Sequence, residues 1–415
     1  MAVHPRVALL NSHRKSMLDF IVLLLAVGIL WLWLPNLIDV VAVLRFLARG
    51  RTRLGGGSPL PHRLPRLAFL IPAHNESLLI TQCVRSLVAM DYPAEARRII
   101  VVADNSTDDT AALARAAGAE CLERFDQVLK GKPHALAWAI DQLTLSELEA
   151  CVVVDADTAV APGFARGLAA LGPLDSIAAQ AYIGTLNEWD NWLTRLAGVL
   201  ARCRYEFTYV LRGIGGLNCP LTGNGMSIGA RLLEKNGWQA FSLTENWELY
   251  ARYTAEGTAI RFASGARLYT QQVRSLKQGE TQRSRWSAGR TWVLQEWMSR
   301  IVHSRRTTIS NKFATLAELA ALSPVLHLTT AAGITLVSLI VPPPLRSWLM
   351  VGAVSSLAST AIATLTVLVR HPEPVATVSA FARLPAYAVW RVSVAARTLA
   401  LSGAQEWRKT ERHSA

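Results

Sequence analysis

The sequence predicts an α/β domain with a mostly parallel sheet, flanked on both sides by transmembrane α-helices. Short apolar runs typical of buried strands alternate with helix-like segments, which is the pattern of βαβ units. The apolar runs cover residues 67–72, 98–103 and 151–154, and the helix-like segments begin near Ser77, Thr107 and Lys132. Long apolar segments lie before and after this region, and 51% of the 415 residues are hydrophobic. That content is high for a wholly soluble protein.

The first apolar segment, residues 20–44, is predicted to form a transmembrane helix within an N-terminal unit of residues 1–64. It contains no lysine or arginine, and as a helix it would span about 37 Å, more than a hydrocarbon core of about 30 Å. The length of the run and the lack of a small-residue cleavage site argue against a cleaved signal peptide. Pro35, Asn36 and Asp39 predict a kink, or a helix end near the membrane interface.

A glycine-rich stretch, residues 55–59, is expected to link this helix to the α/β domain. Within the domain, the second helix shows clear start and stop signals. Thr107 or Ser106 can cap its first turn, and Gly118 can end it. The acidic residues 108–109 would complement the helix dipole in that first turn.

The C-terminal region, residues 301–415, is predicted to return to the membrane. Residues 319–341 and 347–369 are long apolar segments separated by three prolines, and they predict a helical hairpin. Residues 376–401 carry three arginines on one face, so an interfacial helix is favoured over a fourth span. These arginines are Arg383, Arg391 and Arg397. The polar tail that follows is expected in the cytosol.

The formal net charge of +13 is compatible with binding to nucleic acid or to an anionic membrane surface. Many basic residues flank the apolar segments instead of forming an aromatic-interleaved basic groove, so we expect membrane lipids and no nucleic acid as partners. They include Arg45, Arg49, Arg51, Arg53, Arg63, Arg66, Arg300, Arg305, Arg306 and Lys312. By the positive-inside rule the middle region is cytosolic, in a multi-pass protein of the inner membrane.

Three predicted strands end in polar clusters, which would meet at one edge of a parallel sheet and form a nucleotide or phosphate site. The clusters are His74-Asn75-Glu76, Asp104-Asn105-Ser106 and Asp155-Ala156-Asp157. Paired carboxylates after a buried strand are expected to meet a cation or solvent, and two solvated turn aspartates are the alternative. Neither GxGxxG after the first strand nor GxxxxGK[ST] occurs, which disfavours a nicotinamide pocket and a P-loop.

Six short motifs follow one another along the chain. They are Ile71-Pro72-Ala73-His74-Asn75-Glu76, Val101-Val102-Ala103-Asp104-Asn105, Asp155-Ala156-Asp157, Thr222-Gly223-Asn224-Gly225, Thr244-Glu245-Asn246 and Gln282-Arg283-Ser284-Arg285-Trp286. This set resembles the membrane-bound inverting glycosyltransferases of family 2, the group that includes cellulose, chitin and hyaluronan synthases. The resemblance covers about residues 65–300 and implies a Rossmann-like GT-A fold that binds a nucleotide-sugar donor, with a UDP-sugar expected.

The resemblance also implies roles for single residues. The positions it assigns to nucleotide-sugar binding are Pro72, Glu76, Asp104, Lys132, Asp155, Gln282 and Arg285. Asp157 matches a ligand of Mg²⁺ or Mn²⁺, a hard cation that takes carboxylate and phosphate oxygens and stabilises a departing diphosphate. The positions assigned to the acceptor site are Gly223, Asn224, Gly225 and Trp286.

Two of these assignments have structural alternatives. Lys132 can instead be a solvated loop lysine. The segment around Trp286 can be an amphipathic surface helix that is anchored at the membrane interface by its tryptophans. We favour the interfacial interpretation for Trp292 and Trp297. For Arg285 and Trp286 we favour the functional one, because a guanidinium suits phosphate and an indole face suits a sugar ring.

The sequence departs from the family at the position of the catalytic base. Inverting transfer needs a base for the proton of the attacking hydroxyl, and the resemblance places an aspartate where this chain has Asn246. An amide cannot act as a base. The adjacent Glu245 is our candidate, and Glu248 is the other nearby carboxylate. Asn246 can also merely orient the acceptor, with low or altered activity, or transferase activity can be lost.

The sequence therefore predicts inverting sugar transfer to a lipid-linked or glycan acceptor at the cytosolic membrane face, in polysaccharide or glycolipid synthesis. Three predicted spans are few for a wide secretion channel, so transfer of one or a few sugars is favoured over a long polymer. The alternative is a catalytically silent, nucleotide-sugar-binding subunit that assembles with an active synthase.

Overall fold

Eight strands form one mixed sheet in the computed structural model, which describes residues 5–49 and 63–400. The strands are β1 (Leu67–Ala73), β2 (Arg97–Asp104), β3 (Glu120–Arg124), β4 (Ala150–Val153), β5 (Thr158–Val160), β6 (Ala178–Thr185), β7 (Met226–Gly229) and β8 (Ile260–Thr270). Their order is β3-β2-β1-β4-β7-β6-β8-β5. β3, β2, β1 and β4 are parallel, which confirms the parallel arrangement predicted for β1, β2 and β4. β7 is antiparallel to both of its neighbours, and β5 is antiparallel to β8.

Seventeen α-helices lie in the described part of the chain. They are α1 (Pro5–Leu32), α2 (Leu34–Arg49), α3 (Ile80–Val88), α4 (Thr110–Ala116), α5 (Lys132–Asp141), α6 (Phe164–Ala169), α7 (Trp192–Arg202), α8 (Tyr209–Gly215), α9 (Ala230–Asn236), α10 (Glu245–Glu256), α11 (Leu276–His303), α12 (Ile309–Ala320), α13 (Pro324–Val337), α14 (Leu345–Ser355), α15 (Ala358–Arg370), α16 (Pro374–Ser379) and α17 (Leu384–Ala400). A π-helical turn, Cys203–Thr208, joins α7 to α8.

The sheet is buried on both faces because helices cover each side. Alternate residues of β1 point to opposite sides, so Phe69 packs in the cluster with α3 and α6, and Leu70 packs in the cluster with α5, α9 and α10. Both side chains are fully buried. This burial explains why β1, β2 and β4 carry continuous apolar runs that the sequence reveals.

The start of α4 differs from the prediction. The helix begins at Thr110, and Asp108 accepts a hydrogen bond from the Thr110 backbone N–H at 3.0 Å, so neither Thr107 nor Ser106 caps it. Desolvation raises the pKa of Asp108, but hydrogen bonds from Thr110 and Ser77 outweigh it and lower the pKa to about 2. Gly118 ends the helix as predicted, with a left-handed φ of +102°.

Among the described residues, one helical segment is long and apolar enough to cross a membrane, Leu345–Arg370. Two further candidates are bent pairs, Ser16–Leu32 with Leu34–Ala48 at 43° and Ile309–Ala320 with Pro324–Ile340 at 78°. Counting each bent pair as one span gives up to three. The first bend agrees with the kink predicted near Pro35. The predicted arrangement of three spans stays a prediction, because it requires each bent pair to form one span.

The second bend corrects the predicted continuous helix over residues 319–341. Helix α12 ends at Ala320, and α13 starts only at Pro324. Proline lacks a backbone N–H and disfavours a helical conformation in the residue before it, so it suits the first position of a helix.

Asn36, a polar residue inside the first apolar segment, donates to the Ser356 carbonyl at 2.8 Å and accepts from the Ser359 N–H at 2.9 Å. The predicted linker at residues 55–59 and the tail after residue 404 lie outside the described residues.

Candidate functional site

The loops that follow β1 and β2 are hydrogen-bonded to each other. His74 Nδ1 lies 2.8 Å from the Asp104 carbonyl oxygen, and the Glu76 N–H donates to Thr110 Oγ1 at 2.8 Å. Asn75 and Asn105 both adopt left-handed backbone conformations, with φ of +53° and +51°, which asparagine tolerates better than most residues. Two of the predicted polar clusters therefore meet at the carboxyl edge of the sheet. Glu76 lies in the loop after β1, and Pro72 is the second-last residue of β1 itself.

Asp104 forms a buried ion pair that the sequence did not reveal. Arg124, the last residue of β3, donates to Asp104 Oδ1 at 2.6 Å, and both side chains are less than 10% exposed. The same guanidinium donates to Asp126 Oδ2 at 2.8 Å and to the Leu129 carbonyl at 2.7 Å. Asp104 also accepts from the Gly131 N–H at 3.3 Å. Arg124 thus positions Asp104 and the loop that leads into α5.

Lys132 connects three parts of the site. Its Nζ donates to Asp155 Oδ1 at 2.6 Å and to the Gly223 carbonyl at 2.7 Å, and lies 3.5 Å from Glu245 Oε1. Burial lowers the pKa of Lys132, but Asp155 and Glu245 raise it by more, so the net shift is upward and the ammonium stays charged at neutral pH. The alternative of a solvated loop lysine does not describe this side chain.

Lys132→Met is expected to destabilise the protein by about 1–3 kcal/mol, because Glu245 is nearly buried and would lose its cation. The cost should fall below the roughly 3–5 kcal/mol of a fully buried pair, since the Asp155 side chain is 36% exposed and partly screened. The check is the melting temperature of the detergent-solubilised chain. Lys235→Met, at an exposed position on α9, is the control. Equal melting temperatures for the two variants would contradict the prediction.

The turn that carries Asp155 and Asp157 is fixed by Asn224. Asn224 Oδ1 accepts from the Asp155 N–H at 3.1 Å, and its Nδ2 donates to Thr158 Oγ1 at 2.8 Å. Gln180, which is fully buried, donates to the Asn224 carbonyl at 2.8 Å. The sequence analysis did not identify Gln180 as part of the site. Asn224 therefore holds the acidic turn in place, a structural role in addition to the one predicted at the acceptor site.

Glycines flank Asn224 in a tight turn. Gly223 and Gly225 have φ of +91° and +65°. A Cβ at Gly225 would lie 2.7 Å from Leu268 Cδ2 and 2.9 Å from Ala181 Cβ, closer than ordinary contact. The turn thus requires glycine for its backbone conformation and, at position 225, for space.

A cavity of about 390 Å³ begins at the two aspartates and extends to helices outside the sheet. The predicted site residues that line it are Asp155, Asp157, Asn224, Gln282 and Trp286. Those that do not line it are Pro72, Glu76, Asp104, Lys132, Gly223, Gly225, Glu245, Asn246 and Arg285. Lys132 contacts the lining residue Asp155, and it also contacts Gly223 and Glu245.

Helix α11 contributes several cavity residues from the Gln282–Trp286 segment. Arg283, not Arg285, lines the cavity, and its guanidinium lies 5.0 Å from the Trp286 ring centre. Trp292 is 45% exposed, which suits an interfacial position. Trp297 is only 4% exposed, so its assignment as an interface anchor is wrong. It packs with Val293 and Ile301 on the face of α11 that meets α10 and α12.

The candidate base residues lie at the start of α10. Glu245 is 7% exposed, in the first turn, where the helix dipole favours a carboxylate. Asn246 Nδ2 donates to the Leu221 carbonyl at 2.9 Å, which ties α10 to the segment before the glycine turn. Glu248 Oε2 accepts from the Ser242 N–H at 3.0 Å. Of the two carboxylates, Glu245 is the one in contact with Lys132.

The two aspartates fit a divalent cation that completes its shell with substrate oxygens. Both line the cavity, Asp157 is 5% exposed, and its Oδ2 accepts from Thr270 Oγ1 at 3.1 Å. The described residues contain no group of three or more histidine, cysteine or acidic side chains arranged to hold a metal. A site with one or two carboxylates plus substrate phosphates is the usual arrangement for Mg²⁺.

Comparisons with known proteins agree with this architecture. The sequence model of the family described as "Glycosyltransferase like family 2" matches residues 65–289. "Probable glycosyltransferase YdaM" of Bacillus subtilis is 29% identical over 260 residues, which are 59% of this chain and 60% of that protein. "Beta-monoglucosyldiacylglycerol synthase" of Nostoc is 26% identical over 235 residues, 54% of this chain and 49% of that one. The chain thus spans about half to three fifths of the length of these relatives.

A solved structure also resembles the chain. It is described as "Mannosyltransferase PcManGT from Pyrobaculum calidifontis in complex with GDP-Man and Mn2+" and has a TM-score of 0.56. The likeness covers 92% of this chain and 99% of that one, at 18% identity. At this identity the likeness concerns the fold alone. The α/β fold of this chain is GT-A-like, with a mixed sheet whose first half is parallel.

Proposed function

The chain belongs to the glycosyltransferase-like family 2, and on that premise we propose that it transfers a sugar, with inversion, from a nucleotide-sugar donor to a lipid-linked or glycan acceptor. The donor is expected to be a UDP-sugar, and the reaction lies at the cytosolic face of the inner membrane. One observation carries the proposal. Asp155 and Asp157, at the carboxyl end of β4, open into a cavity that also contains Gln282 and Trp286 of α11.

In this proposal the donor binds across the carboxyl edge of the sheet. The nucleoside lies against Pro72, Glu76 and Asp104 at the carboxyl ends of β1 and β2, and Arg124 holds the Asp104 carboxylate in place. Asp157, with Asp155, would hold Mg²⁺ or Mn²⁺, which when bound neutralises the departing diphosphate. Lys132 and Asn224 fix the turn on which both aspartates lie.

The acceptor enters from the side of α11. Gln282 and Arg283 supply donors for diphosphate oxygens inside the cavity, and the exposed Trp286 offers an indole face to a sugar ring. The acceptor oxygen bonds to the anomeric carbon as the bond to the diphosphate breaks, and its proton passes to a base. Glu245 is the proposed base. Its contact with Lys132 keeps the carboxylate near Asp155, which the same ammonium binds.

The proposal predicts release of a nucleoside diphosphate from at least one donor in a panel of UDP- and GDP-sugars, when Mn²⁺ and a membrane lipid extract are present. Release should stop when the metal is chelated and resume when Mn²⁺ is added back, because without a cation the two aspartates repel the diphosphate. The measurement is coupled detection of the free nucleotide. Absence of release with every donor and extract would contradict the proposed function.

A second candidate function is that of a subunit that binds a nucleotide sugar without turnover. The asparagine at position 246, where the family has its catalytic base, favours it. Its amide donates to the Leu221 carbonyl, so the position assigned to the family's base holds the backbone instead. Such a subunit would bind the donor and depend on an active synthase partner. Binding of UDP without release of nucleotide from any donor would support this candidate.

A further inference from the structure

Arginines are concentrated in the part of the cavity formed by α8, α11, α17 and the π-helical turn. Arg204, Arg212, Arg283, Arg290 and Arg391 all line it. Another lining arginine, Arg274, pairs with Asp190. Apart from the two aspartates after β4, the lining carboxylates among the described residues are Glu318 and Asp39. These five arginines and two carboxylates leave a formal net charge of +3 in this part of the cavity.

Two of these arginines have hydrogen-bond capacity that the described residues do not meet. Arg212 is 2% exposed and forms an ion pair with Glu318, yet its Nε and Nη1 have no partner. Arg391 is 5% exposed, and its one long hydrogen bond runs from Nη2 to Ser323 Oγ at 3.4 Å, while Nη1 has none. Buried charged donors without partners are costly. Their presence in a cavity wall points to a bound anion.

The arginines also act on one another. Burial lowers the pKa of Arg290; Glu318 opposes this shift and Arg204 adds to it. Burial likewise lowers the pKa of Arg391, with further lowering by Arg283 and Arg290 and an opposing effect of Tyr387. The Arg204 side chain is exposed and lines the cavity. Arginine stays charged in proteins, so several guanidinium groups that are close together favour an anion with more than one negative charge.

The part of the cavity wall formed by α13 and α15 belongs to candidate membrane-spanning segments, and it combines apolar side chains with the polar side chains of His327, Ser359, Thr360 and Thr364. Leu322, Pro324 and Val325 line it from the start of α13, and Ala363 lines it from α15. Helix α15 is part of the Leu345–Arg370 segment, and α13 belongs to the second bent pair. An occupant that satisfies both walls carries an anionic group and a hydrocarbon chain.

We propose that this part of the cavity binds the phosphate group of a lipid, with Arg204, Arg290 and Arg391 around the phosphate and the hydrocarbon chain along α13 and α15. The lipid is then the carrier of the sugar acceptor, so the inference rests on the proposed transferase function. Arginine suits this role because its planar fork of donors matches phosphate oxygens. The phosphate subsite and the aspartates share one cavity, which places the carrier beside the donor site.

The test uses the full chain in an uncharged detergent and three probes: ³²P-labelled dodecyl phosphate, dodecanol as an unlabelled competitor, and inorganic phosphate. Wild-type protein should bind dodecyl phosphate, and neither dodecanol nor inorganic phosphate should compete at equal concentration. Arg391→Gln should weaken binding at least about tenfold, because it removes a buried charge partner. Arg391→Lys should retain much of the affinity. Arg397→Gln, at an exposed position on the same helix, should change nothing.

UDP binding by the same samples separates the possible outcomes. Retained UDP binding in Arg391→Gln supports a separate phosphate subsite and shows that the variant is folded; if it is not folded, Arg290→Gln replaces it. Parallel loss of UDP and dodecyl phosphate binding at an unchanged melting temperature would assign the arginines to the donor and overturn the proposal. Inorganic phosphate that competes as well as the lipid would overturn the lipid assignment. Lipid phosphate binding without turnover of any donor would contradict the transferase function and still support the subsite.

Discussion

Asp157→Asn is expected to lower the rate of sugar transfer by about 10³-fold or more, while the fold is retained. Asparagine keeps the size of the side chain and still offers an oxygen to Thr270 Oγ1, which now donates to Asp157 Oδ2 at 3.1 Å. It removes the negative charge from a side chain that is only 5% exposed. A metal that neutralises a departing diphosphate contributes several kcal/mol, and about 1.4 kcal/mol corresponds to tenfold in rate.

The measurement is nucleotide release by the variant across a Mn²⁺ titration. Asp141→Asn, at an exposed position at the end of α5, is the matched control and should retain the wild-type rate. A weakened metal site should need a higher Mn²⁺ concentration as well as having a lower maximal rate. Wild-type turnover by Asp157→Asn at the same Mn²⁺ requirement would exclude Asp157 as a metal ligand and redirect attention to Asp155.

The strands that position these aspartates were predictable because they are buried on both faces. β1, β2 and β4 contain apolar runs, and the polar residues at their carboxyl ends mark that edge of the sheet. β3 was missed because it is an edge strand with glutamates at Glu120 and Glu123 and only partial burial. The pairing of Asp104 with Arg124 was missed with it, since that contact depends on the β2–β3 register.

Features that depend on how distant segments pack were beyond the sequence pattern. Trp297 belongs to a helix whose tryptophans suggested a membrane interface, but contacts with α10 and α12 bury it. Gln180 lies on β6 and fixes Asn224 through a contact between residues 44 positions apart. The arginines around the cavity come from four separate elements, so no local motif could have revealed them.

Glu245→Gln is expected to reduce turnover by about 10²–10⁴-fold while UDP binding is retained, because positioned general bases contribute rate factors of that size. The amide can still lie near Lys132, but it cannot accept a proton from an acceptor hydroxyl. Single-turnover nucleotide release and UDP affinity, measured on the same sample, check both parts. Glu256→Gln, at the other end of α10, is the control. A large loss in Glu248→Gln with full activity in Glu245→Gln would transfer the role of base to Glu248.

A companion substitution, Asn246→Asp, tests whether position 246 can serve as the base. Asn246 Nδ2 donates to the Leu221 carbonyl at 2.9 Å, and a carboxylate there would place two acceptors against each other, at a cost of about 1–3 kcal/mol. If Glu245 is the base, Asn246→Asp should lower the melting temperature and should not rescue Glu245→Gln. Restored turnover in the double variant would mean that the carboxylate can leave the Leu221 carbonyl and reach the acceptor. In that case the amide of Asn246 limits the turnover of the wild-type enzyme. Glu245 would then have a structural role as the partner of Lys132 and no role as a base.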